Sequence, residues 1–437
     1  SAGNGATSGS YNIGIGCCVN GGDLSGTHNV SIGAQAGRCL TSGTSNVFLG
    51  LHAGAQATNC TSNVFIGRYA GKCSDGTGNI ALGSNSLQSS STVSNNTGGY
   101  NVSIGSGAGY SNTIGANNVF LGSDTGCRNT TGCYNVFFGI GAGRCMCTGN
   151  RNIAAGSLAL AGSSTVSNNT GDDNIAFGIN AGANLSSGCY NIFFGRNVAS
   201  NGAITGNNNI ALGCAAGKAI TSGAYNIFFG GNAGCLHTGS NNGNIAIGRE
   251  ALRCGTGGDV NIALGCRALG CGDVTGDCNI AIGSFAGESI NTGYDNIFIG
   301  REAGKEATCC VSNVFIGPEA GRCNDGSLNV FLGLGAGKGS VTVPDNTGCC
   351  NVVLGVHAGK CLVTGCDNVF IGSLAGEMHC CGNDNTIIGH DAGKNLQGGS
   401  QNIFFGKYAG KGNSSFTSTN NIAIGCGAMG LSSSALG

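Results

Sequence analysis

Cysteine is the residue type in this sequence with the most evident chemistry. The 437-residue chain contains 26 cysteines, an even number that allows every thiol to pair. No two of them stand three positions apart, so the CxxC unit of zinc ribbons and thioredoxin-like redox motifs is absent. Disulfides persist in oxidising compartments and are rare in a reducing cytosol. The cysteines therefore predict structural disulfides in an exported protein.

The other reactive side chains form no catalytic pattern. The six histidines are scattered without a partner motif, and His379 beside Cys380 and Cys381 is the nearest approach to a metal site. Strings such as GIGAG at 139–143 are rich in glycine but lack the strand-to-helix context of a nucleotide-binding loop. We therefore predict a protein that is not an enzyme and has no cofactor.

Composition and charge exclude several classes of protein. The chain has 86 glycines but only 2 prolines, and 41% of its residues are apolar, so it is neither collagen nor a disordered low-complexity chain. The net charge is −1, which provides no basic excess for nucleic acid. No apolar run approaches the ~20 residues of a membrane span. We predict no nucleic-acid partner and no membrane insertion.

The elements that position the cysteines belong to one repeated unit. A core of Asn, Ile or Val, a variable residue, an apolar residue and Gly occurs 24 times, usually every 17 or 18 residues, with Thr386 the single exception at the second position. The core asparagines are at positions 12, 29, 46, 63, 79, 101, 118, 135, 152, 174, 191, 209, 226, 244, 261, 279, 296, 313, 329, 351, 368, 385, 402 and 421. A segment of the form GxxAG follows, with its Ala in 20 copies and its second Gly in 17, and then a polar turn.

A period of about 17 residues holds one coil of a parallel β-solenoid but not a strand and a packed helix. We predict an all-β solenoid (β-roll) of about 24 coils, forming a single repetitive domain over residues 1–437, with longer loops near 88–98, 161–171 and 338–348. The repeated Asn predicts a side-chain amide ladder, and the Gly after the strand predicts a corner with positive φ or close backbone approach.

The middle residue of each strand predicts a surface. Its apolar neighbours on either side are expected to face inward, so the middle residue would face solvent. It is phenylalanine in 11 copies, and an exposed phenylalanine column would need a partner, most simply another copy of the chain. A wider coil that buries these rings in its own core is the alternative. The expected self-association stripe consists of Phe48, Phe65, Phe120, Phe137, Phe193, Phe228, Phe298, Phe315, Phe331, Phe370 and Phe404.

Cysteine positions within the repeat suggest disulfides between coils. Equivalent positions on stacked coils are about 4.8 Å apart, within the ~4.4–6.8 Å Cα window of a disulfide. Cys254 and Cys271 have the same position in successive coils and form the first candidate pair. The other candidates are Cys60 with Cys39 or Cys73, Cys309 or Cys310 with Cys323, and Cys349 or Cys350 with Cys361. The connectivity stays open.

The repeats NIAIGSFAG at 279–287 and NIAIGREAL at 244–252 carry a family resemblance. Their NxAIGxxA pattern resembles the head repeats of YadA-type trimeric autotransporter adhesins, and related β-roll repeats of phage and viral tail fibres. The resemblance covers the chain from about Asn12 to Met429 and implies a homotrimeric surface fibre that binds surfaces or receptors. The repeat here is longer than that of the family and has many cysteines where the bacterial adhesins have almost none.

Two functions follow as predictions. The first is an extracellular structural fibre or filament subunit, a disulfide-reinforced rod that assembles with its own copies laterally, head to tail, or as a trimer. The alternative is an adhesin or a viral or phage receptor-binding fibre, located on a virion or cell surface. It would bind a surface glycan or receptor through the longer loops or a row of basic residues. That row comprises Arg38, Lys72, Arg144, Lys218, Lys305, Arg322, Lys338, Lys360, Lys394 and Lys411.

Overall fold

A computed structural model describes residues 8–21, 24–89, 96–162, 169–340, 346–412 and 415–429. This part of the chain is a parallel β-solenoid of about 23 turns with about 17 residues per coil, and it contains no helix. The predicted fold class is confirmed. The centres of the three longer loops, 90–95, 163–168 and 341–345, lie outside the described residues.

The chain divides into two compact units, residues 1–224 and 225–437, and each unit is built from the same coil. The prediction of a single domain stays a prediction. The strands of the first unit are β1 (Ile13–Ile15), β2 (Val30–Ile32), β3 (Val47–Leu49), β4 (Val64–Ile66), β5 (Ile80–Leu82), β6 (Val102–Ile104), β7 (Val119–Leu121), β8 (Val136–Phe138), β9 (Ile153–Ala155), β10 (Ile175–Phe177), β11 (Ile192–Phe194) and β12 (Ile210–Leu212).

The second unit repeats this arrangement and adds one short pair of strands, β23 with β25. Its strands are β13 (Ile227–Phe229), β14 (Ile245–Ile247), β15 (Ile262–Leu264), β16 (Ile280–Ile282), β17 (Ile297–Ile299), β18 (Val314–Ile316), β19 (Val330–Leu332), β20 (Val352–Leu354), β21 (Val369–Ile371), β22 (Thr386–Ile388), β23 (Leu396–Gly398), β24 (Ile403–Phe405), β25 (Phe416–Thr417) and β26 (Ile422–Ile424).

Within each unit, successive core strands pair in parallel and in register, so equivalent residues of neighbouring coils stack. Phe48 of β3, for example, is opposite Phe65 of β4. Parallel strands lie about 4.8 Å apart, so the 12 core strands of one unit form a sheet roughly 50 Å long.

A glycine follows every core strand because the backbone turns there in a conformation that other residues avoid. The φ angle of these corner glycines is between 118° and 139°. A Cβ atom on Gly50 would lie only 2.7 Å from the carbonyl oxygen of Gly67 in the next coil. Both the positive φ and the close approach confirm the predicted role of this glycine.

The core asparagines form the predicted amide ladder. Asn46 is fully buried, and its Oδ1 accepts hydrogen bonds from the backbone N–H of Asn63 at 3.0 Å and from Asn63 Nδ2 at 3.1 Å. Its own Nδ2 donates to the carbonyl oxygen of Cys60 at 2.8 Å. Each such side chain therefore links its own turn to the following coil. Both polar atoms of the Asn46 side chain have hydrogen-bond partners, as buried polar groups normally do.

A second ladder runs two positions before the core asparagines, which the sequence analysis missed. Here a side-chain acceptor takes the backbone N–H of the preceding coil: Asn150 Oδ1 accepts from Cys133 at 2.9 Å, and Asp277 Oδ1 accepts from Asp259 at 2.7 Å. Cysteine fills the same role, because Cys133 Sγ accepts from Ala116 N–H at 3.3 Å. In the sequence, Asn, Asp, Ser or Cys often stands two positions before the core asparagine, and this frequency could have predicted the second ladder.

The inward and outward faces of the strands are opposite to the prediction. The middle residue points into the coil, and its two apolar neighbours point out. Phe137 is fully buried, while Phe138 beside it is 61% exposed. Room for the ring exists because the second glycine of GxxAG has no side chain. A Cβ on Gly143 would lie 2.2 Å from the Phe137 ring.

Leucine at the second glycine position of GxxAG occurs together with a small middle residue in the strand. Where the middle residue is alanine, leucine can replace the glycine, as in Ala81 with Leu87 and Ala154 with Leu160. Ala246 with Leu252 and Ala263 with Leu269 repeat the exchange in successive coils, and all four leucines are buried. In these coils leucine therefore fills interior space that a phenylalanine ring occupies elsewhere, as close packing requires.

Candidate functional site

The eleven phenylalanines of the predicted self-association stripe are core residues. Each is at most 1% exposed, and neighbouring rings stack inside the coil, as Phe315 and Phe331 do with centroids 4.8 Å apart. The prediction that they form an exposed stripe is wrong, and the alternative of a coil wide enough to bury them is confirmed. The residues concerned are Phe48, Phe65, Phe120, Phe137, Phe193, Phe228, Phe298, Phe315, Phe331, Phe370 and Phe404.

An exposed apolar surface nevertheless exists, formed by the residues predicted to be inside. In each unit we define the outer face as the first and third residues of the core strands, which number 24 in the two units together. These strands supply 24 × 2 = 48 positions, and 47 of them are apolar, Thr386 being the exception. No charged residue interrupts it. Exposed phenylalanines concentrate on it: Phe138 is 61%, Phe194 56%, Phe229 52% and Phe405 54% exposed.

The outer face of one unit has the size of an interaction surface. A sheet about 50 Å long and three residues, or roughly 10 Å, wide presents on the order of 500 Å². Monomeric proteins rarely expose contiguous apolar patches larger than a few hundred Å². Exposed tyrosines such as Tyr134, Tyr190 and Tyr225 stand just before the core asparagines and widen the surface beyond this estimate.

The cysteine positions give a different result from the predicted pairs, because no disulfide joins the described cysteines. Cys60 and Cys310 are buried, and each places Sγ 3.6–3.7 Å from the Oδ1 of a ladder asparagine. Burial raises the pKa of both thiols to about 12. These two cysteines therefore act as small core residues with unreactive thiols.

Three cysteines that lie ten residues after a core asparagine contact polar side chains of the neighbouring coil. Cys271 Sγ lies 3.3 Å from Glu288 Oε1 and also contacts Arg267. Cys73 Sγ lies 2.8 Å from Gln56 Oε1, and Cys323 Sγ lies 3.1 Å from Glu306 Oε2. Burial and the Glu306 carboxylate raise the pKa of Cys323 to about 12. The remaining candidates are half-buried or exposed: Cys39, Cys254, Cys309, Cys350 and Cys361.

One pair that the sequence analysis did not propose brings two thiols of different coils together. Cys349 Sγ and Cys366 Sγ are 2.9 Å apart. Other close thiol contacts join adjacent residues: Cys17 with Cys18 at 3.3 Å, and Cys380 with Cys381 at 3.2 Å. Cys349 also interacts with the adjacent Cys350.

The basic row is largely paired with carboxylates in the second unit. Lys411 Nζ lies 2.8 Å from Asp391 Oδ2, and Lys338 Nζ lies 2.5 Å from Glu319 Oε2. The lysine and Arg301 lower the pKa of Glu319, although its burial acts in the opposite direction. Lys305, Arg322 and Lys394 have acidic partners within 4 Å as well. In the second unit these five basic residues of the row are therefore neutralised along the edge.

Two histidines occupy the coil interior. His237 is 2% exposed and packs edge-on against Phe228, and burial lowers its pKa to about 4. His379 packs against Phe370 in the same way, and its Nε2 is 3.3 Å from the Gly382 carbonyl oxygen. His379 thus points away from Cys380 and Cys381. Within the described residues, no group of three or more His, Cys, Asp or Glu side chains could hold a metal ion.

No membrane-spanning helix is found in the part of the chain that the structure describes. Comparisons with known proteins do not assign this chain to a family: no family model matches it, and a search of curated proteins finds no match.

Proposed function

We propose that this protein is a structural subunit of an extracellular fibre or filament, in which copies of the chain associate through the outer face. The observation that carries the proposal is the apolar character of that face, at 47 of 48 positions. Parallel sheets in proteins are normally covered on both faces, since their strands are apolar on both sides. Here the coil covers only the inner face of the sheet.

A second copy of the chain is the partner that best matches this surface. The outer face repeats the same two apolar positions at every coil, so its spacing is that of a stacked sheet. An identical sheet has the same spacing and can place its own side chains between those of the first, as in the dry interface between paired sheets. An isologous contact of this kind needs no additional binding feature.

The extracellular location is supported by the content of 26 cysteines, which is typical of secreted proteins. The resemblance of the repeat to YadA-type heads and tail-fibre β-rolls supports a surface fibre, and their trimeric state is one possible arrangement of the copies. Lateral association is the mode that the outer face favours.

The test is to place charges on the outer face and measure assembly. The variant F138K/F194K/F229K introduces three lysines at positions at least 52% exposed. The control variant S42K/S187K/S240K introduces the same charges at exposed serines of the return turns. Sedimentation velocity and electron microscopy of the wild type and the control should show oligomers or filaments, whereas the outer-face variant should be monomeric.

A wild-type chain that stays monomeric at all accessible concentrations would contradict the proposal, as would assembly that survives in the outer-face variant. A monomer that binds a glycan array would instead favour the adhesin or receptor-binding alternative.

A further inference from the structure

The contact between Cys349 and Cys366 differs from the other cysteine environments in the described chain. The two residues are 17 positions apart, and their Sγ atoms are 2.9 Å apart. Both side chains are half-buried, so a small reagent can reach them. Cys349 N–H also donates to Cys366 Sγ at 3.2 Å, which makes Cys366 part of the second ladder.

The backbone around the pair holds the two coils in register. Asp367 N–H donates to the Cys349 carbonyl oxygen at 3.1 Å, and Gly348 N–H donates to the Val363 carbonyl oxygen at 2.8 Å. The paired strands β20 and β21 begin only a few residues later. Neighbouring parallel segments lie about 4.8 Å apart, inside the Cα range of a disulfide. This spacing is compatible with a bond between the two thiols, which must approach from 2.9 Å to about 2.05 Å.

We propose that Cys349 and Cys366 form a disulfide that joins these neighbouring coils, made by exchange with a low-molecular-weight disulfide such as oxidised glutathione. One cysteine thiolate attacks the small disulfide, forming a mixed disulfide and releasing one small thiolate. The second cysteine thiolate then attacks the mixed disulfide, forming the Cys349–Cys366 bond and releasing the second. The two protons lost by the cysteines go to the two released thiolates, so the protein is oxidised by two electrons and the small disulfide is reduced.

The other close thiol pairs do not meet the same geometric condition. Cys17 with Cys18 and Cys380 with Cys381 are adjacent in sequence, and adjacent Cα atoms are about 3.8 Å apart, below the range of an ordinary disulfide.

Two cysteines at the same repeat position in other coils face an asparagine, not a cysteine, in the following coil. Cys133 donates its N–H to Asn150 Oδ1, and Cys189 donates its N–H to Asn207 Oδ1, so asparagine occupies the place that Cys366 takes above Cys349. This also supplies a conservative replacement, because asparagine at position 366 would keep the hydrogen bond of the second ladder.

The bond would fasten a specific place in the solenoid. Cys349 directly follows the longer loop near 338–348, where the coil has 22 residues instead of the usual 17 or 18. Joining it to the next coil would close a 17-residue loop and restrict the unfolded chain.

The first experiment maps the bond in the full-length chain. The protein is incubated with oxidised glutathione, its remaining thiols are alkylated, and the chain is cleaved after Lys360 and Leu362, which separates Cys361 from Cys366. We expect a linked peptide pair, lighter by two hydrogens than its parts, whose fragmentation places the bond between Cys349 and Cys366. Alkylation of both residues after this treatment would overturn the proposal, as would a bond from Cys349 to Cys350 or Cys361.

The second experiment measures the consequence of the bond. Oxidation should raise the unfolding temperature of the wild type and of the control variant Cys380→Ser, but not that of Cys366→Asn, which keeps the ladder acceptor. An equal rise in Cys366→Asn would show that another pair is responsible and would overturn the proposal.

Discussion

Phe137 and Phe138 are neighbours in one strand, yet the first is fully buried and the second is 61% exposed. The same contrast recurs in Phe193 with Phe194, where the exposed fractions are 0% and 56%. Because the residue type is identical, hydrophobicity alone cannot have chosen which side chain is inside. The difference lies in the space next to each face: the inner ring lies over a glycine inside the coil, whereas the outer ring remains more than half exposed.

Truncation of the inner ring should have the largest effect on stability. Phe137→Ala is expected to lower the free energy of unfolding by about 3–5 kcal/mol, because it removes a buried aromatic side chain and leaves a cavity. Phe138→Ala should change it by less than about 1 kcal/mol, since the outer ring remains mostly in water in the isolated chain. Chemical denaturation of both variants, at concentrations where the chain is monomeric, measures the contrast. Equal losses would contradict the assignment of the two faces.

Protonation of the buried His237 should have the next largest effect on stability. In the folded chain, burial lowers the pKa of His237 to about 4, against 6.5 for a histidine side chain exposed to water. Between these values the unfolded chain binds a proton that the folded chain does not, so stability falls as the pH decreases from 6.5 to about 4. The linkage amounts to about 3 kcal/mol when complete.

His237→Leu should remove this part of the pH dependence, because leucine fills the equivalent position at Leu40. The relevant measurement is the difference in unfolding free energy between wild type and variant at pH 7 and at pH 4.5, which cancels the carboxylate contributions common to both. A difference that does not vary with pH would show that His237 titrates normally.

Exchange of large and small residues across the coil should restore part of the stability lost in Phe137→Ala. The double variant F137A/G143L recreates the pairing of Ala246 with Leu252, which already occurs in two successive coils. We expect it to recover about 2 kcal/mol, because leucine refills the cavity. Gly143→Leu alone should be destabilising, since its Cβ would clash with the Phe137 ring. A double variant no more stable than Phe137→Ala would show that leucine at position 143 does not fill the cavity.

A charge on the outer face should have the smallest effect on the stability of the isolated chain. Phe138→Lys is expected to change the unfolding free energy by roughly 0.5 kcal/mol or less, as surface substitutions usually do. The same change at Phe137 should prevent the coil from folding, because it would bury an unpaired ammonium group. Circular dichroism and thermal unfolding of the two variants distinguish these outcomes.

The sequence predicted most of the architecture because the repeat reports it directly. Asn46 and Asn63 occupy the same position in successive repeats, which predicts a stacked ladder. A glycine after every strand predicts an unusual backbone angle there. The sequence also contained a signal that was missed: leucine at the second glycine position goes with alanine in the strand, as in Ala81 with Leu87. This pairing marks the middle residue as the inward one.

The cysteine pairs could not be predicted in the same way. Cys254 and Cys271 occupy equivalent positions in successive repeats, but the side chain of Cys271 contacts Glu288 and Arg267 instead. Cys349 and Cys366 also share a phase, and their side chains meet. Phase fixes the distance between Cα atoms, whereas the direction of each thiol depends on the polar groups around it.

What the sequence determined by itself was the repeating unit, its parallel stacking, the asparagine ladder and the glycine corner, because each of these depends on spacing along the chain. Only the tertiary structure decided which face of the strand lies inside and which thiols come into contact. Alternation along a strand separates two faces without identifying either one, and here both are apolar. The direction in which the backbone closes at the corner determines the inner face, and with it the surface that remains open to another molecule.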